Sequence, residues 1–343
     1  MAGYKTKLGK CEAEDSINGL GKLENGSLNL IFTSPPFALQ RKKEYGNCSQ
    51  DEYVEWLLEF GRVAFDKIAD DGSFVIDIGG AYEKGTPSYS LYQFKFLIAM
   101  VERVGYHLAQ PFYWYNPGAL PAPIEWVNKR KLRAKSAVNT LWWFCKNPFC
   151  KADVRQVLVP YSSRMQKLIK KPESFVAHEG LERPSGHVLG MKSWCHDNGG
   201  ALPSNLLQIS NTESNSSYLR YCKELQIRSH PARFPAALPE FFIKMLTNPG
   251  DLVVDIFSGS NTTGMVCEKL GRKWLAFDID RDYVAASVMR FMPHELNALN
   301  QVKADKIHKI IKNGGFVDLG DVDFDKNYNK ADSGSLTNPS LAS

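Results

Sequence analysis

Two stretches more than two hundred residues apart carry the side chains best suited to chemistry. In the first, Thr33-Ser34-Pro35-Pro36-Phe37, a hydroxyl, two carbonyls whose own residues lack an N–H, and an aromatic ring follow the apolar run 28–32. Proline holds its carbonyl rigidly and brings no competing donor. Such a set suits gripping a planar amine by its two hydrogens while a ring stacks on it. The second stretch, Asp255 to Gly264, places small residues after another apolar run. Gly259 lets a ligand approach the backbone, and Asn261 is of the non-glycine type readiest to adopt left-handed dihedrals. Asp278 follows the next apolar run, where an acid can hold a ribose diol. The phosphate-cradling pattern G-x-x-x-x-G-K-[ST] does not occur, which disfavours a nucleoside triphosphate. Just upstream, His230-Pro231-Ala232-Arg233-Phe234-Pro235 offers a proline-flanked ring fit to wall a purine pocket.

These residues need elements to position them. Leu28–Phe32 reads as a buried parallel strand stopped by two prolines. Ser49-Gln50-Asp51-Glu52 is a capping-box pattern that predicts a helix with Tyr53, Leu57, Phe60 and Ala64 on its apolar face. Asp71-Gly72 predicts a turn into a second buried strand, 73–78, ending at Gly79-Gly80. A further helix is expected to bury Leu91, Phe94, Ile98 and Val101. Later come strands over 252–257 and 273–277, with a helix from about Met265 to Leu270 between them. A helix with Leu238, Phe241, Phe242 and Met245 precedes them. Strands alternating with helices predict a doubly wound parallel sheet. From Pro117 to Ile227 regularity fades, and so long an irregular stretch inside a compact fold is usually functional. Beyond Gly314 the acidic, polar composition predicts a disordered tail.

The chain has 343 residues, 43% hydrophobic and 23% charged, enough to bury a sizeable core. Its net charge of +5 says little, but the distribution says more: between Lys129 and Lys171 twelve Lys or Arg face one acid, Asp153. That is the footprint of a phosphate-binding face. Seven cysteines without a C-x-x-C pair predict free thiols in a reducing compartment, and neither Cys195-His196 nor Cys145 with Cys150 has zinc spacing. The N-terminus lacks a signal-peptide core and no run of 18 apolar residues occurs, so the protein is expected to be neither exported nor membrane-spanning.

The motifs together resemble those of DNA amino-methyltransferases, specifically the cytosine-N4 type of type II restriction-modification systems. Residues 33–37 match the catalytic motif, with Ser where adenine-N6 enzymes more often carry Asp or Asn. Asp255 to Thr263 matches the S-adenosylmethionine loop, Asp278 its acid, and His230 to Pro235 the preceding motif. The catalytic motif comes before the cofactor motif, the permuted order called class beta. The resemblance implies an α/β, doubly wound, mostly parallel seven-stranded sheet, Rossmann-like, with an irregular DNA-recognition insertion. It divides the chain into a catalytic half (1–127), a basic insertion (128–227), a cofactor half (228–313) and a tail (314–343). It implies Ser34, Pro35, Pro36 and Phe37 as catalytic. Thr33, Phe234, Pro235, Asp255, Phe257, Gly259, Ser260, Asn261, Thr262, Thr263 and Asp278 are implied as cofactor-binding. Lys129, Arg130, Lys131, Arg133 and Lys135 are expected on DNA phosphates. The expected partners are S-adenosylmethionine, double-stranded DNA and a second copy of the chain, without a metal and in a bacterial or archaeal cytoplasm. Two departures stand out: Asn261 replaces a frequent second glycine, and near Gly9-Lys10-Cys11 no Asp is found for the cofactor's adenine. Adenine-N6 methylation stays open as the alternative, as do a silent DNA-binding relative and an RNA substrate. Cytosine-C5 methylation is discarded because no Pro-Cys dipeptide occurs.

Overall fold

The computed structural model describes residues 2–37, 50–171, 196–211 and 216–322, with backbone alone at 50 and 51. Residues 38–49 with the capping Ser49, residues 172–195 and 212–215 of the irregular stretch, and the tail from 323 lie outside the described residues. One sheet organises the rest. Its strands are β1 (Gly3–Lys5), β2 (Gly9–Ala13), β3 (Leu28–Thr33), β4 (Ile68–Ile78), β5 (His107–Tyr115), β6 (Val138–Cys145), β7 (Leu206–Gln208), β8 (Leu252–Asp255), β9 (Lys273–Asp278) and β10 (Phe316–Asp318). They run in the order β10-β1-β2-β9-β8-β3-β4-β6-β5-β7. Neighbours are parallel except β1 with β2, β4 with β6, and β6 with β5.

Among the described residues the sheet has ten strands, not the expected seven; β1, β7 and β10 are three residues each and placed toward the edges. Segments that short carry too little periodicity to read. β10 also corrects the tail, whose first residues pair with β1. β6 corrects the insertion: Leu141-Trp142-Trp143-Phe144, expected in irregular chain, pairs with both β4 and β5 inside the sheet. β4 starts at Ile68, ahead of the expected turn at Asp71-Gly72, which survives as a register shift against β3.

Helices cover both faces, as a doubly wound sheet requires. On one face Leu30, Phe32 and Val75 pack against Phe241 and Phe242 of the helix Ala237–Leu246, whose predicted apolar residues are all buried. On the other, Ile31, Phe74 and Ile76 meet Tyr53, Leu57, Phe60 and Ala64 of the helix Gln50–Lys67, as predicted. Each such large side chain contributes roughly 1.5–3 kcal/mol by leaving water. The helix Tyr92–Ala99 is present but turned: Tyr92, Phe96, Ala99 and Met100 are buried, while Leu91, Phe94, Ile98 and Val101 are exposed. Both of its faces are apolar, so spacing alone could not choose between them. Among the described residues no helix is long and apolar enough to cross a membrane.

The central pairing, Leu30 with Val253 and Ile31 with Val254, joins the two chemical stretches. It sets the ends of β3 and β8 side by side, at the kind of sheet crevice where α/β folds hold ligands.

Candidate active site

β3, β4, β5, β8 and β9 finish at one edge of this sheet, and the antiparallel β6 begins there. Alternation fixes what each strand presents. On the face that buries Leu30 and Phe32, the next position of that strand is Ser34; after Val75 comes Asp77, and before Leu141 comes Asn139. Asp77 stands opposite Leu141, and Trp114 opposite Asn139. Three adjacent strands thus change from apolar to polar at the same height.

Ser34 Oγ donates to Asp77 Oδ2 at 3.1 Å, and Asn139 Nδ2 makes a longer contact of 3.5 Å with the same oxygen. Asp77 is 2% exposed and its Oδ1 has no hydrogen-bond partner among the described residues. Burial pushes its carboxyl up to about 7, against the opposing pull of Ser34 and Asn139. Pro35 is buried, and Pro36 and Phe37 are half-buried beside it. The Phe37 ring lies over Gly79, where a Cβ would collide with it. The glycine at the end of β4 is what admits the ring.

The cofactor-side loop is built around a second buried acid. Asp255, at the end of β8, accepts from Thr33 Oγ1 and Thr263 Oγ1, both at 2.7 Å, and from the Phe257 amide at 3.1 Å. Burial raises its carboxyl to about 6. Asn261 adopts φ +54°, as its residue type permits, and its Oδ1 caps the helix Thr262–Lys269 by accepting from the Gly264 amide. Its Nδ2 donates to the Tyr4 hydroxyl at 2.9 Å. Gly259 takes φ +49° and donates its amide to Asp278 Oδ2 at 2.8 Å. Burial also raises Asp278, to about 6. The buried Arg290 fixes the loop from behind, donating to the Ser260 carbonyl and hydroxyl.

Between the two halves lies a cavity of about 870 Å³. Of the residues expected at the site, Ser34, Pro35, Pro36, Phe37, Phe234, Phe257, Gly259, Ser260, Thr262 and Asp278 line it. Thr33, Pro235, Asp255, Asn261 and Thr263 do not. Thr33, Asp255, Asn261 and Thr263 are almost wholly buried and spend their polar atoms on one another or on the framework, so they shape the loop from beneath. The five basic residues 129–135 also lie away from the lining, in the loop between β5 and β6. That loop leaves the sheet after Tyr115 and returns at Val138, next to Trp114 and Asn139, both of which line the cavity. Glu125 pairs with Lys129 at 3.3 Å and with Arg130 at 2.9 Å, which reduces the local charge.

Several lining residues escaped the sequence reading. Asp77 and Asn139 were legible only by following alternation to the last position of each strand. Asp15, four residues past the Cys11 where an acid was sought, lines the cavity and caps the helix Ser16–Gly21, its Oδ1 accepting from the Ile17 and Asn18 amides. Trp56 and Phe60 come from the helix Gln50–Lys67 and pack with Phe257, at ring separations of 5.5 and 4.8 Å.

S-adenosylmethionine fits these walls. The left-handed Gly259 and two carboxylates, Asp15 and Asp278, line the cavity with the apolar side chains of Trp56, Phe60, Phe257 and Ile279. Phe37 and Phe234 line the same cavity as Ser34.

Comparison with known proteins agrees with this geometry. Residues 28–289 match the DNA methylase family. The chain is 54% identical over 319 residues to the type II methyltransferase M.PvuII of Proteus hauseri, covering 93% of each chain. It superposes on the solved structure of the PvuII cytosine-N4-specific DNA methyltransferase with a TM-score of 0.75 at 48% identity, covering 92% of this chain and 96% of that one. The DNA adenine methyltransferase YhdJ of Escherichia coli is 33% identical over 94 residues, 27% of this chain. With a family match over most of its length and a fold that superposes on a solved member, this chain belongs to the DNA methylase family.

Proposed function

We propose that this enzyme transfers a methyl group from S-adenosylmethionine to the exocyclic N4 of a flipped cytosine in a specific double-stranded DNA sequence. It would thereby protect that sequence from a partner restriction endonuclease in a bacterial cytoplasm. The observation that carries the reading is the Ser34–Asp77 hydrogen bond at the wall of the cavity that Gly259 and Asp278 also line.

Cytosine N4 is a poor nucleophile because its lone pair is delocalised into the ring. Ser34 commits its proton to Asp77, which leaves its oxygen lone pairs for an amine hydrogen. The Pro35 carbonyl is the second acceptor. Acceptors placed where charge develops favour the pyramidal amine, which can attack. As the C–N bond forms and the methyl's bond to sulfur breaks, leaving a neutral thioether, the amine would shed a proton to Ser34 Oγ while Ser34 passes its own to Asp77. A carboxyl poised near 7 is matched to that exchange at neutral pH. Phe37 stacks on the extruded base. S-adenosylmethionine supplies the electrophilic sulfonium methyl; Asp278 would hold its ribose, Asp15 its adenine amine, and the loop 257–260 the rest.

Lys129, Arg130, Lys131, Arg133 and Lys135 stand on a loop rooted at the cavity and would set register on phosphates. In this reading 1–127 and 228–313 are the catalytic and cofactor halves, and base readers fall in 128–227 outside β6. The expected homodimer is carried as part of the proposal, and sedimentation velocity of the protein with and without DNA tests it.

The reading predicts N4-methylcytosine by mass spectrometry of nucleosides from treated DNA; N6-methyladenine alone would overturn it. Ser34→Ala should cut methyl transfer by about tenfold or more while cofactor binding by calorimetry stays within a few-fold. Unchanged transfer would remove Ser34 from the mechanism.

A further inference from the structure

We infer that Asn139 selects the base, donating an amide N–H to the ring carbonyl oxygen O2 that cytosine has and adenine lacks. The inference rests on the reading above. With an amine held by Ser34 and the Pro35 carbonyl, either base presents the same next atom, a ring nitrogen that accepts. The difference comes one position further along the edge, where cytosine carries O2 and adenine a C–H. Discrimination therefore needs a donor, two strands away from the amine grip.

Asn139 stands there. Ser34 directly follows β3, Asp77 is the last position of β4 on the shared face and Asn139 the first of β6, on three successive strands. Strands lie about 4.8 Å apart, so the row runs across the cavity wall as a base edge would. The orientation of the amide is also determined. Asp77 Oδ2 already receives the Ser34 hydroxyl as an acceptor, and Asn139 turns its NH₂ toward that oxygen at 3.5 Å. One amide hydrogen is thereby directed at Asp77 and the other is left for a ligand, since the Asn139 side chain makes no other hydrogen bond among the described residues. Trp114, directly across the strand pair, is tied by its indole N–H to the Ile209 carbonyl at 2.8 Å and walls the side chain in. Both residues line the cavity. A site built to satisfy a polar group of its substrate rejects an analogue lacking it far more strongly than an apolar wall can.

The test uses the full-length enzyme with S-adenosylmethionine and duplexes whose target position holds cytosine, adenine or 2-thiocytosine, whose sulfur accepts poorly. The wild-type enzyme should slow about fivefold or more on 2-thiocytosine. In Asn139→Ala the preference for cytosine over adenine should fall about tenfold or more, through loss of the cytosine rate, with the adenine rate kept within about twofold. Asn139→Leu, of similar volume, serves as the second variant, and cofactor binding by calorimetry verifies that each is folded. A residue acting only in the framework would depress both rates together. If the wild-type enzyme methylates adenine and not cytosine, the cytosine-N4 reading falls and this inference with it. If the wild-type enzyme methylates cytosine, equal rates on cytosine and 2-thiocytosine, or an unchanged preference in both variants, overturn the role of Asn139 alone.

Discussion

At the scale of single residues, Asp77 is where the mechanism and the stability of the protein oppose each other. To take a proton it must be ionised, and its carboxyl is pushed up to about 7. The transfer rate should therefore fall about tenfold per unit as pH drops below 7, and Asp77→Asn should lower kcat about a hundredfold or more. The same shift has a thermodynamic consequence. The folded-state value lies above the ordinary 3.8, so the acid costs the fold nothing below that pH, where both states are protonated. The cost grows as pH rises toward 7 and is then complete, on the order of 4 kcal/mol. Asp77→Asn should accordingly raise Tm at pH 8 by a few degrees, and by less at pH 5, while activity is lost. A lower Tm at pH 8 would make Asp77 a framework residue. Ser34 was readable in the sequence because two prolines mark its place; Asp77 was not, because one acid in a buried run gains meaning only from its neighbours across the sheet.

At the scale of elements, the cofactor loop depends on a strap between strands. Thr33 on β3 and Thr263 on the following helix both donate to Asp255 at the end of β8. Thr33→Val keeps the shape of the side chain but leaves a buried carboxylate oxygen one donor short. It should cost about 1–3 kcal/mol in urea denaturation and weaken cofactor binding several-fold. An unchanged midpoint would show that water or another donor replaces the bond. The helix Tyr92–Ala99 gives a contrasting pair. Phe96→Ala should cost about 3–5 kcal/mol because its ring is wholly buried. Ile98→Lys should lie within about 0.5 kcal/mol because Ile98 is 53% exposed. The reverse ranking would restore the expected face of Leu91, Phe94, Ile98 and Val101.

At the scale of the whole molecule, positive charge is gathered on the loop between β5 and β6, whose two feet stand at the cavity. Neutralising Lys131, Arg133 and Lys135 to Gln should weaken DNA binding about equally on all sequences. The slope of log K against log salt should become shallower by about one for each phosphate no longer neutralised. Fluorescence anisotropy at several salt concentrations measures both. A weakening confined to one DNA sequence would move these residues from phosphate binding to base reading. Lys129 and Arg130 should contribute less per charge, since Glu125 already pairs with both.

The sequence by itself determined which chemistry is present: the proline-stiffened acceptors after β3, the small-residue loop after β8, and the alternation that winds a sheet between helices. These are local properties, set by dihedral limits, hydrogen-bonding capacity and apolar periodicity within a few residues. Only the tertiary structure decided which of those residues face a ligand and which hold up the ones that do. Thr33 turned inward because the β3–β8 pairing offered it Asp255, and Asn261 because Tyr4 on β1 and the Gly264 amide took its side chain. Asp15, Asp77 and Asn139 turned toward the cavity because strand register brought three distant segments to one edge. Burial and register are relations between segments, and no spacing within a single segment encodes them.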